Sequence, residues 1–308
     1  MFWLFLLLIL LILAAFALTW AFSMAFVRDS RFSALDDDSS MSHMLDPFVE
    51  QIEEGKQFLR TAEHTRVHAS SHDGLQLAAS YYSCGSDCTL IAFHGYRSSA
   101  IRDFSCAVKM YLDMGINVLL VDQRSHGDSE GRLITFGVKE RFDVLTWVNF
   151  VLEHYGSDTS IFLDGLSMGS STVMMSAALP LPSNVKGLIA DCGYTTPAEI
   201  IGRVAEKNFH IKGALAARVL SMLCRLLGGF SLYEASAPKA LASSLLPILL
   251  VHGKADDFVP PEMSVTNYEA AKGPKQLCLI DNAGHGCSFL YDRAGIEQAL
   301  LTFINTYR

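Results

Sequence analysis

No charged residue lies between Phe2 and Val27, and no cluster of Lys or Arg occurs anywhere in the 308 residues. The second absence, together with a formal net charge of -8, argues against nucleic acid as a partner. Cysteine is sparse and scattered. Cys84, Cys88, Cys106, Cys192, Cys224, Cys278 and Cys287 make an odd set without paired spacing, which does not fit a disulfide framework. Cys84 and Cys88 are close enough in sequence to bridge a turn, but free thiols are the expected state. No Cys/His pairs converge at the short spacing a zinc site needs. There is no internal repeat and no low-complexity block. Half of the residues are apolar, enough for one sizeable α/β core and a short extra segment.

The charge-free run reads FWLFLLLILLILAAFALTWAFSMAFV, residues 2 to 27. As a helix it spans roughly 39 Å at about 1.5 Å per residue, against a hydrocarbon thickness of about 30 Å. Trp3 and Trp20 stand near its ends, where indole rings favour the interface. It lacks the basic n-region of a cleaved signal peptide and is too long for one. The expectation is therefore a single-pass N-terminal membrane anchor over residues 1–28. Its orientation stays open: Arg28 and Arg31 favour a cytoplasmic C-terminal side, but Asp36, Asp37 and Asp38 follow closely. Residues 28 to 46, polar and rich in Asp, Ser and Met, read as a stalk. Residues 47 to 60 read as a short amphipathic helix. Stalk and helix fill 29–60, and the folded domain is placed at 61–308.

From residue 65 onward strands and helices alternate. TRVHAS and LQLAASYY flank the Asp-Gly turn of SHDG and predict a hairpin. TLIAFHG, INVLLVD, SIFLDG, VKGLIAD, LPILLVHG and KQLCLI predict further strands. Helices are predicted over 102–114, 137–155, from about 168, over 261–271 and from about 289. Such alternation implies a mostly parallel central sheet with helices on both faces. Ligands in such sheets sit beyond the carboxyl ends of the strands, so polar motifs matter most where an apolar strand stops.

Four strand ends carry such motifs. In FLDGLSMGSS, Ser167 lies between Gly165 and Gly169 at a strand-to-helix junction. Glycines there remove the Cβ atoms that would clash in a sharp, strained turn. The turn lifts the hydroxyl above the sheet at a helix N-terminus, where developing negative charge is favoured. Alone, Ser167 could equally be a helix N-cap. In FHGYRSS, Gly95 permits a tight turn, leaving the Tyr96 N–H available to an oxyanion beside the Met168 N–H. Tyr96 is also a candidate to line the substrate pocket, and His94 is expected to be structural. VHGKADDFVP supplies Asp256 and Asp257, of which Asp256 is chosen as the carboxylate that orients an imidazole. DNAGHGCSF places His285 in a loop between two glycines, a poor site for a packed core histidine. It is expected to be general base toward Ser167 and general acid toward the leaving group.

The order Ser167, Asp256, His285 and the placement of each at a strand end resemble the α/β-hydrolases, and the likeness covers residues from about 65 to 306. VDQRSHGDSEG (121 to 131) is similar to that superfamily's D-x-R-G-x-G-x-S segment, with Ser125 and His126 as local departures. An apolar N-terminal span on such a domain is similar to bacterial membrane-anchored, cell-surface-hydrolase-like proteins. The resemblance implies an α/β-hydrolase fold with Ser167 as nucleophile, Asp256 as acid and His285 as base. Tyr96 and Met168 would give the oxyanion amides, with no metal or organic cofactor. Asp122 and Arg124 would steady a loop. The expected reaction is hydrolysis of a small-molecule or lipid-like carboxylic ester through an acyl-enzyme. Thioester, amide or peptide hydrolysis and acyl transfer use the same residues, and a non-catalytic, membrane-tethered binding module is a further alternative.

Residues 194 to 236 exceed what one βα unit needs and are expected to form a helical cap, broken near Gly213 and at Gly228-Gly229. Lys212, Arg218 and Arg225 fall near one helical face. That face is either an ordinary solvent side or a basic, apolar surface touching membrane.

Overall fold

The computed structural model describes residues 1–28 and 45–308. The stalk expectation for 28 to 46 falls almost wholly outside them. Helix α1 is Phe2–Phe26 and α2 is Val49–Thr61, after a 3-10 turn at Asp46–Phe48. Then follow β1 (Thr65–Ser70), β2 (Gln76–Tyr82), β3 (Cys88–Phe93), α3 (Ala100–Asp113), β4 (Asn117–Asp122), α4 (Glu140–Tyr155), β5 (Ser160–Leu166), α5 (Met168–Ser176) and β6 (Val185–Asp191). The cap region holds α6 (Pro197–Phe209), α7 (Gly213–Leu223) and a π-helical segment, Cys224–Gly228. The chain closes with α8 (Ala237–Ser243), β7 (Ile248–Gly253), α9 (Pro261–Ala270), β8 (Lys275–Ile280), α10 (Ser288–Tyr291) and α11 (Arg293–Tyr307).

Among the described residues the strands form one eight-stranded sheet in the order β1-β2-β4-β3-β5-β6-β7-β8. The β1–β2 hairpin predicted at the Asp-Gly turn is antiparallel, and β2 runs antiparallel to β4; the remaining pairs are parallel. The period of two in each strand sends alternate residues to opposite layers. Ile91 and Phe93 of β3 join Leu119 and Val121 of β4, Trp147 of α4 and Val173 of α5 in one core. Leu90 and Ala92 join Val118, Leu120, Tyr111 of α3 and Phe303 of α11 in the other. From β3 the chain moves outward to β4, then returns to β5 on the other flank. The strand order therefore reverses between β3 and β5, the position beyond whose carboxyl ends sheets of this kind bind their ligands.

Two predicted boundaries move for identifiable reasons. Helix α3 starts at Ala100 because the Ser99 hydroxyl accepts from the Arg102 N–H as its N-cap. Helix α4 starts at Glu140, not 137, because the preceding turn is closed by the Glu140 carboxylate. It accepts from Thr135 N (2.7 Å) and Gly137 N (2.9 Å).

Asp164 is buried in mid-sheet on β5 and accepts a 2.8 Å hydrogen bond from the Tyr111 hydroxyl. Burial disfavours the charged form and raises its pKa to about 7. The folded pKa lies above the unfolded value near 3.9, so the associated stability is complete below about pH 4 and is lost as pH rises toward 7. The full swing is about 4 kcal/mol at most. Asp164→Asn removes this titration while keeping an acceptor for Tyr111. The fall in melting temperature between pH 5 and pH 8 is expected to be clearly smaller in the variant; equal falls would contradict the assignment.

Helix α1 carries no charged residue and is mostly exposed over its first five turns. Its last turn is not. Phe22 and Phe26 are buried in the first of the two cores, and the Phe26 ring packs edge-on against Phe136 and Phe230. Val27 bridges Leu133, and Arg28, expected to mark the membrane flank, donates to Ser129 O (2.7 Å) and Gly127 O (2.6 Å). In the cap, Lys212, Arg218 and Arg225 are exposed as expected, but Leu215, Met222, Leu226 and Leu227 share the exposure.

Candidate active site

Ser167 follows β5 directly, with φ 55° and ψ -113°, a conformation that L residues avoid. The two glycines are there because the turn is crowded. A Cβ on Gly165 would lie 2.3 Å from the Gly169 carbonyl carbon, and one on Gly169 only 1.8 Å from Phe93 O at the end of β3. The Ser167 N–H donates to Asp191 O (2.9 Å), tying the turn to β6. Ser167 precedes α5 as an N-cap would, but its hydroxyl makes no capping bond. It donates instead to His285 Nε2 at 2.8 Å.

The His285 Nδ1 lies 2.7 Å from Asp256 Oδ2. An ionised carboxylate only accepts, so the imidazole proton sits on Nδ1, leaving the Nε2 lone pair toward Ser167. Asp256 is buried at the end of β7, and its Oδ1 accepts from the N–H groups of Phe258 and Val259, both at 2.9 Å. Burial alone would raise its pKa. Hydrogen bonds from His252 and His285 outweigh burial and hold it well below the usual carboxylate range. Asp257 takes no part: its carboxylate points outward to Lys207 Nζ at 2.8 Å. Cap helix α6 fastens the same loop, with Arg203 Nε donating to Phe258 O at 3.1 Å. The Phe258 ring lies edge-on to His285, 5.0 Å between centroids.

The β3 loop lies beside the serine. A Cβ on Gly95 would sit 3.5 Å from the Ser167 Cβ, so the loop backbone lies against the serine. The Gly95 N–H donates to Asp103 Oδ2 (2.7 Å), and Arg97 adopts φ 50°. Met168 is the first residue of α5, where an N–H has no intrahelical partner. The Tyr96 ring stacks on Phe136, and its hydroxyl donates to Ala25 O of α1 at 3.0 Å.

His94 is fully buried, accepting from the Gln123 N–H at 3.2 Å, in keeping with a structural role. Arg124 is clamped by Asp143 (2.6 Å) and Asp73 (2.9 Å), and Asp122 pairs with Arg66. Two further histidines matter that motif spacing does not reveal. His126 is buried, and burial, reinforced by His94 beside it, lowers its pKa to about 3. It is therefore a neutral acceptor, and its Nε2 takes the Arg97 N–H at 3.1 Å. His252, on β7, is fully buried: Ser264 Oγ lies 2.6 Å from Nδ1, while Nε2–H is shared between Asp256 Oδ2 (3.1 Å) and Val259 O (2.9 Å). A histidine two residues before a loop is a visible signal. Its partnership with the carboxylate needs the fold.

The Cys192 thiol, Asp256 and His285 present donor atoms within 4.8 Å of one another. Asp256 and His285 already satisfy each other, and burial raises the Cys192 pKa well above its ordinary value.

Sequence and structure comparisons show the same fold in other proteins. A family model described as alpha/beta hydrolase fold matches residues 89–219. The uncharacterized protein YqkD of Bacillus subtilis is 25% identical over 217 residues, covering 70% of this chain and 71% of that protein. The uncharacterized protein YfhR of Escherichia coli K12 is 28% identical over 223 residues, covering 70% and 69%. Among solved structures, the Pyrococcus furiosus esterase Pf2001 superposes with a TM-score of 0.64 at 22% identity, over 80% of this chain and 94% of that one. Est1E from Butyrivibrio proteoclasticus, solved with ferulic acid bound, gives a TM-score of 0.59 at 20% identity, over 78% and 98%. At these identities the likeness establishes the fold.

Proposed function

We propose that this chain, an α/β-hydrolase by fold, is a serine hydrolase that cleaves carboxylic esters. The observation that carries the reading is the unbroken line from Asp256 Oδ2 through the His285 ring to Ser167 Oγ, with links of 2.7 and 2.8 Å. As the hydroxyl oxygen attacks the ester carbonyl carbon, its proton passes to His285 Nε2, and the Asp256 carboxylate stabilises the imidazolium. The carbonyl π electrons move onto oxygen, which meets the Tyr96 and Met168 N–H groups. Collapse breaks the bond to the leaving alkoxide, which takes the proton from His285 Nε2. Water then repeats the sequence on the acyl-enzyme and releases the acid. The neighbours that bear the name esterase favour esters over thioesters or amides. Helix α1, 25 residues and long and apolar enough to span a bilayer, supports a single-pass anchor that keeps the enzyme beside lipid-like substrates.

The test uses the full chain in detergent, because Phe22 and Phe26 belong to the core. A fluorophosphonate probe is expected to label the protein stoichiometrically as Ser167 Oγ displaces fluoride from phosphorus, and Ser167→Ala is expected to remain unlabelled. No labelling of the wild type, or equal labelling of both, overturns the proposal.

A further inference from the structure

The carbonyls at the end of α1 have no intrahelical N–H ahead of them and must find donors elsewhere. They find them at the β3 loop and its neighbour. Arg97 Nη2 donates to Met24 O (2.8 Å) and Val27 O (3.1 Å), the Tyr96 hydroxyl donates to Ala25 O (3.0 Å), and the Ile134 N–H donates to Phe26 O (2.7 Å). A guanidinium is well suited to this end of a helix, where the peptide dipoles concentrate negative potential. The Arg97 guanidinium also lies over the Tyr96 ring, 5.2 Å from its centroid. On the other side, the Arg97 N–H is held by His126 Nε2, and His126 belongs to the loop whose carbonyls at Gly127 and Ser129 receive Arg28. The last turn of α1 and Arg28 are thus stitched to the β3 loop, which carries the Tyr96 amide, and to the loop after β4 that holds the Arg97 N–H.

That stitching acts on a strained segment. Arg97 sits at φ 50°, a conformation that L residues avoid and that persists only where the surroundings impose it. Oxyanion stabilisation is sensitive to such details, because a donor must stand about 2.7–3.1 Å from an oxygen that is negative only in the transition state.

We infer that the end of the apolar N-terminal helix is part of the hydrolase: through Arg97 it holds the β3 loop in the geometry that aims the Tyr96 N–H at the oxyanion. Arg97 is then a positioning residue, and the helix does more than tether. The inference rests on the serine hydrolase reading and adds that the reaction depends on a docked α1.

Full-length protein in detergent micelles is first titrated with the fluorophosphonate to count competent sites. Turnover of p-nitrophenyl acetate is then expressed per titrated site. Arg97→Ala is expected to lower kcat by about 10- to 100-fold with KM within twofold, the signature of an interaction made in the transition state. Arg97→Lys, which still reaches a helix carbonyl, is expected to recover most of the loss. A purely structural role would reduce the number of titratable sites and leave the rate per site unchanged, and that result overturns the inference. Should Arg97→Ala yield no titratable protein, Tyr96→Phe decides. It keeps the ring on Phe136 and loses only the hydroxyl bonds to α1; a kcat per site at least threefold lower supports the inference, and an unchanged kcat overturns it. Failure of the wild type to label is a different result and sinks the hydrolase reading itself.

Discussion

Replacing Ser167 by alanine is expected to lower kcat toward an activated ester by on the order of 10⁶-fold and to leave the fold intact. The size follows from what is removed. In the proposed mechanism the hydroxyl is the group that forms the covalent bond, and the other groups near it have nothing to act on once it is gone. What remains is the oxyanion site and substrate binding, worth on the order of 10³–10⁴ over water. The fold survives because the serine's structural contributions are backbone ones: its N–H bond to Asp191 O and its place ahead of α5. The hydroxyl makes no helix cap, so alanine gives up one hydrogen bond, to His285. Release of p-nitrophenol checks the rate and thermal unfolding checks the fold. Residual turnover above about one part in a hundred would mean that another group can carry the acyl chain.

The site was largely readable from sequence because its chemistry is concentrated where strands stop. Gly165 and Gly169 flag a turn that no Cβ can enter, and the geometry gives the reason: Phe93 O and the Gly169 carbonyl fill the space. Asp256 and His285 each stand in a short loop after an apolar strand, and the parallel sheet brings such loops to one edge. The choice between Asp256 and Asp257 depends on which side chain turns inward, which adjacent positions in a loop do not encode. Less was legible where partners are far apart in sequence and follow no period. Phe22 and Phe26 continue the apolar pattern of α1 without a break, so nothing in that pattern separates the part facing outward from the turn packed on Phe136 and Phe230. Arg28 likewise looks like a membrane-flanking charge, but its partners are carbonyls 99 and 101 residues away. His252 shows the same limit, as a strand-end histidine whose bond to Asp256 exists only once the loop has folded back over it.

Asp256→Asn is expected to lower kcat by about 10⁴-fold with little change in KM, and the environment of the carboxylate says why so small a change in shape should matter. Oδ1 is committed to two backbone donors, the N–H groups of Phe258 and Val259. An asparagine must place its carbonyl oxygen there, which puts its NH₂ where Oδ2 stood. That position faces His285 Nδ1 and the Nε2–H of His252. His252 can keep its bond to Val259 O, so the loop retains its shape. His285 has no such alternative: facing a donor, Nδ1 must become the acceptor, and the ring proton moves to Nε2. The imidazole then presents N–H to Ser167 and cannot take the hydroxyl proton. Asp257→Asn is the matched control, because that carboxylate points outward and pairs with Lys207 at the surface. It is expected to leave kcat within twofold. Fluorophosphonate labelling should slow in parallel with ester turnover in Asp256→Asn, since both begin with the same proton transfer. A loss below tenfold would show that Asp256 does not set the tautomer of His285, and the orienting role would have to pass to another buried carboxylate. Asp191 is the one to test, since its backbone oxygen already holds the Ser167 N–H.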